Sequence, residues 1–377
     1  MGLKIVCSGH IVRLPFGGHS WHHLQYLLGL RQLGHEVIFF EDYGWSYSCY
    51  DPPTKSLTNE PKYGLSYTQE LLAKFGLENS WCYLGEDGSS HGMTRDELAQ
   101  ACRDCDLYIN LSNINWIPEI RECRRRVLID TDPVFTQIGS FGIGGPFDDY
   151  HALFTYGENV GKGNCSMPTA GKEWLPTRQP VVLENWVAAP GDPLAPYTTV
   201  VNWSNFGDKE YRGQIYGQKD REFEAFLSLP LEVGENMEIA AGAPSEVIDR
   251  LKQGGWRVID AWSVTKDPFV YRQYLSDSRA EFCVAKHAYV STWSGWFSDR
   301  SSAYLASGRP TIIQDTGFSD FLPTGVGLIS YRNNEEAVLG IGKIKDDYDH
   351  HCLMARKIAE EYFDATKVLT DILELSL

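Results

Sequence analysis

A chain of 377 residues is long enough to form two α/β domains with sizeable cores. Its formal net charge of −16 argues against a polyanionic partner, so we predict no nucleic-acid polymer among its partners. Because no eighteen consecutive residues are apolar and the first residues lack the layout of a signal peptide, we predict a cytoplasmic protein without a membrane span.

The amino-terminal part alternates strands and helices. A strand at 3–7 leads through Gly17-Gly18 into a helix that begins near His19 and ends at Gly34, and a second strand follows at 37–40. A strand–helix–strand unit of this kind predicts a parallel sheet. Further strands are predicted at 81–84, 107–111, 127–129 and 153–156, with helices at 68–75 and 95–102 and an irregular stretch at 43–62.

Two short motifs in the amino-terminal half could bind a metal ion or take part in redox chemistry. The strand at 127–129 runs into Asp130-Thr131-Asp132-Pro133. A D-x-D after a strand can hold a divalent metal, but an aspartate before proline is also a common turn former. Cys102 and Cys105 form a lone C-x-x-C pair among nine scattered cysteines, which favours ordinary thiols over zinc or redox use.

The carboxyl-terminal part repeats the same plan. Residues 188–196 are rich in proline and glycine, as in a linker. Strands are then predicted at 199–203, 237–240, 256–262, 281–285, 311–313 and 325–329, with helices at 222–229, 244–253, 268–276, 335–339 and 351–363. The sequence does not decide whether the protein forms a homodimer.

The stretch from Trp293 to Asp320 predicts a ligand site. Ser298 or Asp299 would cap a helix, so the N–H groups of the next residues would lack intrahelical partners and could bind a diphosphate. The helix ends at Gly308, and a strand at 311–313 delivers residues 314–317 to the sheet edge where open α/β sheets bind ligands.

This stretch, SDRSSAYLASGRPTIIQDTG, resembles the nucleotide-sugar-binding signature of GT-B-fold glycosyltransferases. The resemblance implies an α/β protein with two Rossmann-like parallel-sheet domains that face each other across a cleft. It implies an acceptor-binding domain at 1–187, a linker at 188–196, a nucleotide-sugar-binding domain at 197–364, and a helix at 365–377 that crosses back to the first domain. Retaining members usually carry two glutamates where Gly295 and Ala303 stand here, which favours inverting transfer.

A second match lies near the amino terminus. Gly18-His19 and Gly34-His35-Glu36-Val37 are similar to inverting members that act on small hydroxyl acceptors and carry a general-base histidine at the start of the first helix. The resemblance implies that His19 is the base, with His10 as its main rival. It further implies that Asp130 or Asp132 orients the histidine, with the metal and turn interpretations still open.

The implied contacts follow from the same resemblance. Acceptor contacts are expected at Gly18 and Glu158. Donor contacts are expected at Asn202, Ser204, Arg257, Ile259, Lys286, Asp299, Arg300, Ser301, Ser302, Asp315, Thr316 and Gly317.

The implied activity is transfer of a hexose, most simply glucose from UDP-glucose, to a hydroxyl of a small molecule such as a natural product or a nucleoside-like compound. It would need neither metal nor cofactor. The alternatives are a sugar-nucleotide epimerase or retaining transferase of the same fold, and a nucleotide-sugar-binding protein without catalytic activity.

Overall fold

The computed structural model describes residues 2–139, 145–203 and 207–377, and Ser204, a predicted donor contact, lies outside them. The chain forms two compact units. The first comprises Met1–Tyr156, Thr169–Pro180 and Ala365–Leu377, and the second comprises Gly157–Pro168 and Val181–Asp364. Residues 188–196, predicted as a linker, lie within the second unit by this division.

An eight-stranded sheet forms the centre of the first unit, and a two-stranded hairpin, β3 with β4, lies outside it. The strands are β1 (Lys4–Ser8), β2 (Glu36–Asp42), β3 (Cys49–Asp51), β4 (Ser56–Thr58), β5 (Trp81–Leu84), β6 (Ser90–Gly92), β7 (Leu107–Leu111), β8 (Arg126–Asp130), β9 (Ala152–Thr155) and β10 (Leu175–Pro176). The order across the sheet is β10-β9-β8-β7-β1-β2-β5-β6, and every pair is parallel except β5 with β6.

A six-stranded, fully parallel sheet forms the centre of the second unit. The strands of this unit are β11 (Tyr197–Asn202), the hairpin β12 (Lys209–Tyr211) and β13 (Gln214–Tyr216), β14 (Met237–Gly242), β15 (Arg257–Asp260), β16 (Ala280–Cys283), β17 (Thr311–Gln314) and β18 (Leu328–Tyr331). The sheet order is β15-β14-β11-β16-β17-β18.

Helices connect the strands in both units. They are α1 (Gly17–Gln32), α2 (Lys62–Lys74), α3 (Arg95–Asp104), α4 (Lys219–Phe223), α5 (Leu229–Val233), α6 (Ser245–Gln253), α7 (Ala261–Thr265), α8 (Pro268–Asp277), α9 (His287–Thr292), α10 (Asp299–Ala306), α11 (Asn334–Asp346), α12 (Tyr348–Tyr362) and α13 (Ala365–Ser376). The last of these, α13, is counted with the first unit, where it packs against α1. No helix of the described residues is both long and apolar enough to cross a membrane.

Both large sheets have the strand order of a Rossmann fold. Numbered within its own unit, the second sheet runs 3-2-1-4-5-6, and the six parallel strands β1, β2, β5, β7, β8 and β9 of the first unit follow the same order. The direction of winding therefore reverses between β1 and β7 in one unit and between β11 and β16 in the other. Ligands of such sheets bind beyond the carboxyl ends of the strands at these reversals.

Most of the predicted elements are present, but several bounds differ. The strand predicted at 256–262 is β15 followed by the start of α7, and the strand predicted at 325–329 is β18, which begins at Leu328. The strands at 81–84 and 107–111 have the predicted bounds, because all their residues are buried and all but Asn110 are apolar. Helix α2 begins at Lys62, six residues before the predicted start, and the irregular stretch at 43–62 contains the hairpin β3–β4. The helix predicted at 222–229 begins at Lys219 as α4, and its last residue, Leu229, begins the separate helix α5.

Candidate active site

Several polar side chains of the second unit lie near the carboxyl ends of β11 and β16, the neighbouring strands between which the winding of the sheet reverses. Helix α10 begins beside these strand ends, and its N-cap, Ser298, makes no side-chain hydrogen bond to the first turn. The first N–H groups of the helix are therefore not satisfied by a capping side chain. An uncapped helix start carries partial positive charge and attracts anions.

Arg300 links the first turn of α10 to β11 and β16 through hydrogen bonds. Its Nε donates to Glu281 Oε1 at 2.5 Å, one terminal nitrogen donates to the Val200 carbonyl at 2.6 Å, and the other donates to Cys283 Sγ at 3.2 Å. Burial opposes the charge of Arg300, but Glu281, Cys283 and Tyr271 together outweigh burial and hold the pKa of the guanidinium well above its ordinary value. All three guanidinium nitrogens thus have partners within the protein. The predicted contact of Arg300 with a diphosphate stays a prediction.

Lys219 is a cation that the sequence did not single out. It is the first residue of α4, and burial lowers its pKa to about 8, assisted by the neighbouring charges of Arg300 and Lys286. Lys286 is the N-cap of α9, with its ammonium group 5.4 Å from the centre of the Tyr289 ring. The three cations, called here the cation cluster (Lys219, Lys286 and Arg300), interact electrostatically beside the buried Glu281.

Lys219 was missed because the predicted helix began three residues later, so it fell in a loop. The only local signal is its place after the Gly-containing hairpin β12–β13, at the start of a helix. Its importance depends on Arg300 and Lys286, which lie more than sixty residues away in the sequence.

The serines after Arg300 are buried. Ser302 Oγ donates to the Asp299 carbonyl at 2.7 Å and so closes the first turn of α10, whereas Asp299 itself is exposed. Ser301 Oγ is buried without a hydrogen-bond partner among the described residues. The predicted donor contacts of these residues are untested, although their backbone N–H groups do lie at the helix start.

The predicted sugar-contacting loop is held by its own side chains. Asp315 accepts hydrogen bonds from the Gly317 N–H at 2.9 Å and from Ser319 Oγ at 2.7 Å, and it forms an ion pair with Arg332 at 3.2 Å. Thr316 Oγ1 donates to the Trp296 carbonyl at 2.5 Å. These bonds set the shape of the loop, and its contact with a sugar stays a prediction.

Asn159 joins this loop to the segment before α10. Its N–H donates to the Ser294 carbonyl at 3.0 Å, and its Nδ2 donates to the Gly317 carbonyl at 3.0 Å. Gly317 has a φ of +100°, and a Cβ at this position would overlap Asn159 Nδ2. Glu158, the predicted acceptor contact, precedes Asn159 in the same unit and is half-buried.

The remaining residues predicted to contact the sugar-nucleotide donor lie at the carboxyl end of β11 and on β15. Asn202 is exposed at the carboxyl end of β11. Arg257 and Ile259 lie on β15, the edge strand, where Arg257 pairs with Glu238 at 3.0 Å and Ile259 is half-buried. The predicted contacts of Asn202, Arg257 and Ile259 with the sugar-nucleotide donor stay predictions.

In the first unit, His10, His19, His22 and His23 lie close together where β1 ends and α1 begins. Gly18 and His19 lie in the first turn of α1, and the ring centres of His19 and His10 are 4.1 Å apart. His23, one turn further, donates from Nδ1 to the His19 carbonyl at 2.9 Å and accepts the His10 N–H at Nε2, at 3.1 Å. Burial, and then the neighbouring His19, lower the pKa of His10 and of His23 well below the ordinary value. Both imidazoles are therefore neutral at pH 7.

A buried ion pair fixes the loop that carries His10. Glu41 accepts the N–H groups of Ile11, Val12 and Arg13 at 2.7–2.8 Å and pairs with Arg13 Nε at 3.1 Å. Arg13 in turn donates to Asn115 Oδ1 at 2.9 Å. Burial raises the pKa of Glu41 although Arg13 lowers it. The sequence analysis did not find this network, which joins residues up to 102 positions apart.

Asp130 is the centre of a separate buried network. It accepts hydrogen bonds from Gln137 Nε2 at 2.7 Å, Thr155 Oγ1 at 2.6 Å and the Asp132 N–H at 2.9 Å. His19 is not among its hydrogen-bond partners in the described part of the chain. Burial raises the pKa of Asp130 to about 6. Within residues 2–139, 145–203 and 207–377, the three-residue group able to hold a metal is His10, His19 and His23, so neither aspartate belongs to one.

No protein-family model matches the chain, and no curated protein sequence matches it either. Solved structures do match over its whole length. An alpha-glucosyltransferase bound to UDP and a 13-mer DNA containing an HMU base has a TM-score of 0.62 and 11% identity, covering 100% of this chain and 99% of its own. AviGT4, a glycosyltransferase involved in avilamycin A biosynthesis, has a TM-score of 0.55 and 13% identity, covering 99% and 96%. HepE of Anabaena, bound to UDP and glucose, has a TM-score of 0.54 and 10% identity, covering 99% of each chain.

These similarities define the fold of the protein as GT-B. The predicted resemblance to GT-B glycosyltransferases and the prediction of two Rossmann-like parallel-sheet domains are confirmed. The first two of these proteins are named as a glucosyltransferase and a glycosyltransferase, and two of the three structures contain UDP.

The prediction that excluded a nucleic-acid polymer from the partners is wrong. Several solved structures of this fold that match the chain are complexes with DNA. The error lay in using the net charge of −16, because a total over the whole chain does not describe the local charge of a binding surface.

Proposed function

We propose that the protein is a glycosyltransferase that moves a sugar from a UDP-sugar, most simply glucose from UDP-glucose, to a hydroxyl group. The observation that carries the proposal is the cation cluster beside the uncapped start of α10, at the winding reversal of a GT-B-type sheet. The UDP bound in two of the matching structures supports the choice of nucleotide.

The cation cluster suits the chemistry of the leaving group. As the bond from the anomeric carbon to the phosphate oxygen breaks, negative charge develops on the diphosphate. Lys219, Lys286 and the N–H groups of α10 would stabilise that charge, since preorganised donors act strongly where water is excluded. Arg300 would contribute through its field, because its nitrogens already have partners.

For the acceptor side we propose His19 as the general base. Its ring is half-buried at the start of α1, and the neighbouring His10 and His23 are neutral, so they add no positive charge that would oppose its protonation. The hydroxyl proton would pass to the imidazole as the oxygen attacks the anomeric carbon, and UDP would leave from the opposite side. This single displacement inverts the anomeric configuration and does not require a metal ion.

A second candidate is transfer with retention. Several of the matching structures are named alpha-glucosyltransferases, and one of them contains UDP-glucose. UDP-glucose is itself α-linked, so an α-glucoside formed from it has kept its configuration. This observation favours retention, whereas Gly295 and Ala303 at the positions of the usual glutamate pair favour inversion.

The acceptor also has two candidates. A small natural product is supported by the similarity to AviGT4 and by Tyr43, Trp45 and Tyr47, aromatic side chains that are 41%, 42% and 63% exposed just after β2. Exposed aromatic rings offer stacking surfaces for flat ligands. A hydroxyl on DNA is supported by the matching complexes that contain DNA with an HMU base.

The test is a UDP-release assay on the full chain with UDP-glucose and two acceptor sets, namely hydroxylated natural products and a duplex with a hydroxymethylated base. We expect acceptor-dependent UDP release that EDTA does not abolish, and the anomeric coupling constant in the product's proton NMR spectrum distinguishes inversion from retention. His19→Gln should abolish inverting turnover and leave UDP binding by calorimetry unchanged. Failure of the wild-type protein to bind UDP would refute the proposal.

A further inference from the structure

Three imidazoles from two segments converge in the first unit. One ring nitrogen each of His10, His19 and His23 lies within 4.8 Å of the other two. The ring centres are 4.1 Å apart for His10 and His19, 4.7 Å for His19 and His23, and 5.3 Å for His10 and His23. His10 follows β1, whereas the other two lie one turn apart on α1, so the loop and the helix together form the group.

The surroundings of these rings suit metal ligation. The His23 Nδ1–H bond to the His19 carbonyl leaves the lone pair of His23 on Nε2. A backbone carbonyl in that position is the usual outer partner of a metal-bound histidine, because it fixes the tautomer and the ring orientation. His10 Nδ1 is buried and has no hydrogen-bond partner among the described residues, which is costly unless a ligand occupies the position.

The packing around His23 is specific. A Cβ at Gly9 would overlap the imidazole of His23, so glycine is required for the ring to occupy this place. Arg13 and Glu41 hold the rest of the loop, and His10 and His19 are each half-buried.

We propose that His10, His19 and His23 form a binding site for one transition-metal ion such as Zn²⁺. Three nitrogen ligands suit Zn²⁺, Co²⁺, Ni²⁺ and Cu²⁺, with water at the remaining position, whereas Mg²⁺ and Ca²⁺ prefer oxygen ligands. Zinc–nitrogen bonds of about 2.0 Å require the nitrogens to approach to about 3.3 Å. The His23 ring exchanges the hydrogen bond from the His10 N–H for the coordination bond.

Occupancy of the site has a consequence that rests on the proposed function. A metal-bound imidazole has no lone pair left to accept a proton. If His19 is the base, Zn²⁺ therefore inhibits transfer, and removal of Zn²⁺ by EDTA restores it. The metal site itself does not depend on this consequence, because binding is measured without turnover.

The test is calorimetric titration of the full chain with ZnCl₂, in the background Cys165→Ser/Cys352→Ser. Cys165 and Cys352 are the cysteines that are not fully buried, so these substitutions remove the accessible competing thiols. We expect one Zn²⁺ per chain, and about 100-fold weaker binding in His10→Ala and in His19→Ala. The exposed His91 and His350 provide matched controls, and their alanine variants should bind as the background does.

His23→Gln tests the buried ligand. A glutamine can still accept the His10 N–H, so far-ultraviolet circular dichroism like that of the parent shows that the fold is kept. Loss of zinc in this folded variant supports the site. Equal affinity in the parent, His10→Ala and His19→Ala overturns the proposal, as does a parent protein that binds no zinc.

Discussion

The protonation of Lys219 should be coupled to UDP binding. With a pKa of about 8, Lys219 is uncharged in about half of the free molecules at pH 8. A diphosphate beside the ammonium group favours the charged form, so binding takes up about 0.5 proton per chain at pH 8, about 0.1 at pH 7 and about 0.8 at pH 8.5. If only the charged form binds well, UDP affinity falls about fourfold from pH 7 to pH 8.5.

Calorimetric titration with UDP at pH 7, 8 and 8.5, in buffers of different ionisation enthalpy, measures both quantities. Phosphoryl groups themselves ionise near pH 6, below this range. Lys219→Arg keeps the charge at every pH, so its proton uptake should vanish and its affinity should not change with pH. Lys252→Arg, a substitution of an exposed lysine on α6, should behave like the wild type. The same uptake in Lys219→Arg and in the wild type would refute the argument.

Three further predictions concern stability, and each is measured by urea denaturation. The pKa of Asp130 in the folded protein, about 6, lies above its ordinary value of 3.8, so the contribution of Asp130 to stability rises as the pH falls through 6. Between pH 8 and pH 5, the free energy of unfolding of the wild type should therefore rise by about 1.4 kcal/mol relative to that of Asp130→Asn. An equal change in both proteins would contradict this. Glu281→Gln leaves the Arg300 guanidinium buried without its counter-charge and should cost about 3–5 kcal/mol, whereas a loss below about 1 kcal/mol would mean that the pair is not buried. Gly317→Ala should lower the free energy of unfolding by about 1–3 kcal/mol, because alanine is strained at this positive φ and its Cβ would overlap Asn159. An unchanged stability would mean that the loop does not have this conformation.

Much of the backbone could be predicted from the sequence. The strand at Leu107–Leu111 is a short run that is apolar except for Asn110, and the turn from α10 into β17 is marked by Gly308 and Pro310. Signals of this kind act over a few residues, since hydrophobic period, capping and turn residues depend on neighbours along the chain. The alternation of strands and helices therefore led to the parallel sheets, and the resemblance of one segment led to the GT-B fold.

The side-chain partners could not be predicted in this way. The contact of Arg300 with a diphosphate stays a prediction, and nothing in the sequence indicated its hydrogen bonds to Val200 and Glu281, which are 100 and 19 residues away. Asp130 or Asp132 was expected to orient His19, which stays a prediction. The sequence did not indicate the hydrogen bonds that Asp130 accepts from Gln137 and from Thr155, which lies 25 residues away on β9.

The sequence by itself determined the order of strands and helices along the chain. Only the tertiary structure decided the order of the strands across each sheet, with its winding reversal, and which polar groups meet, joining Lys219 to Arg300 and His10 to His23. The physical reason is burial. Charge and hydrogen-bonding capacity removed from water must find partners within the protein, and the sheet topology, not the local sequence, determines which partners are in reach.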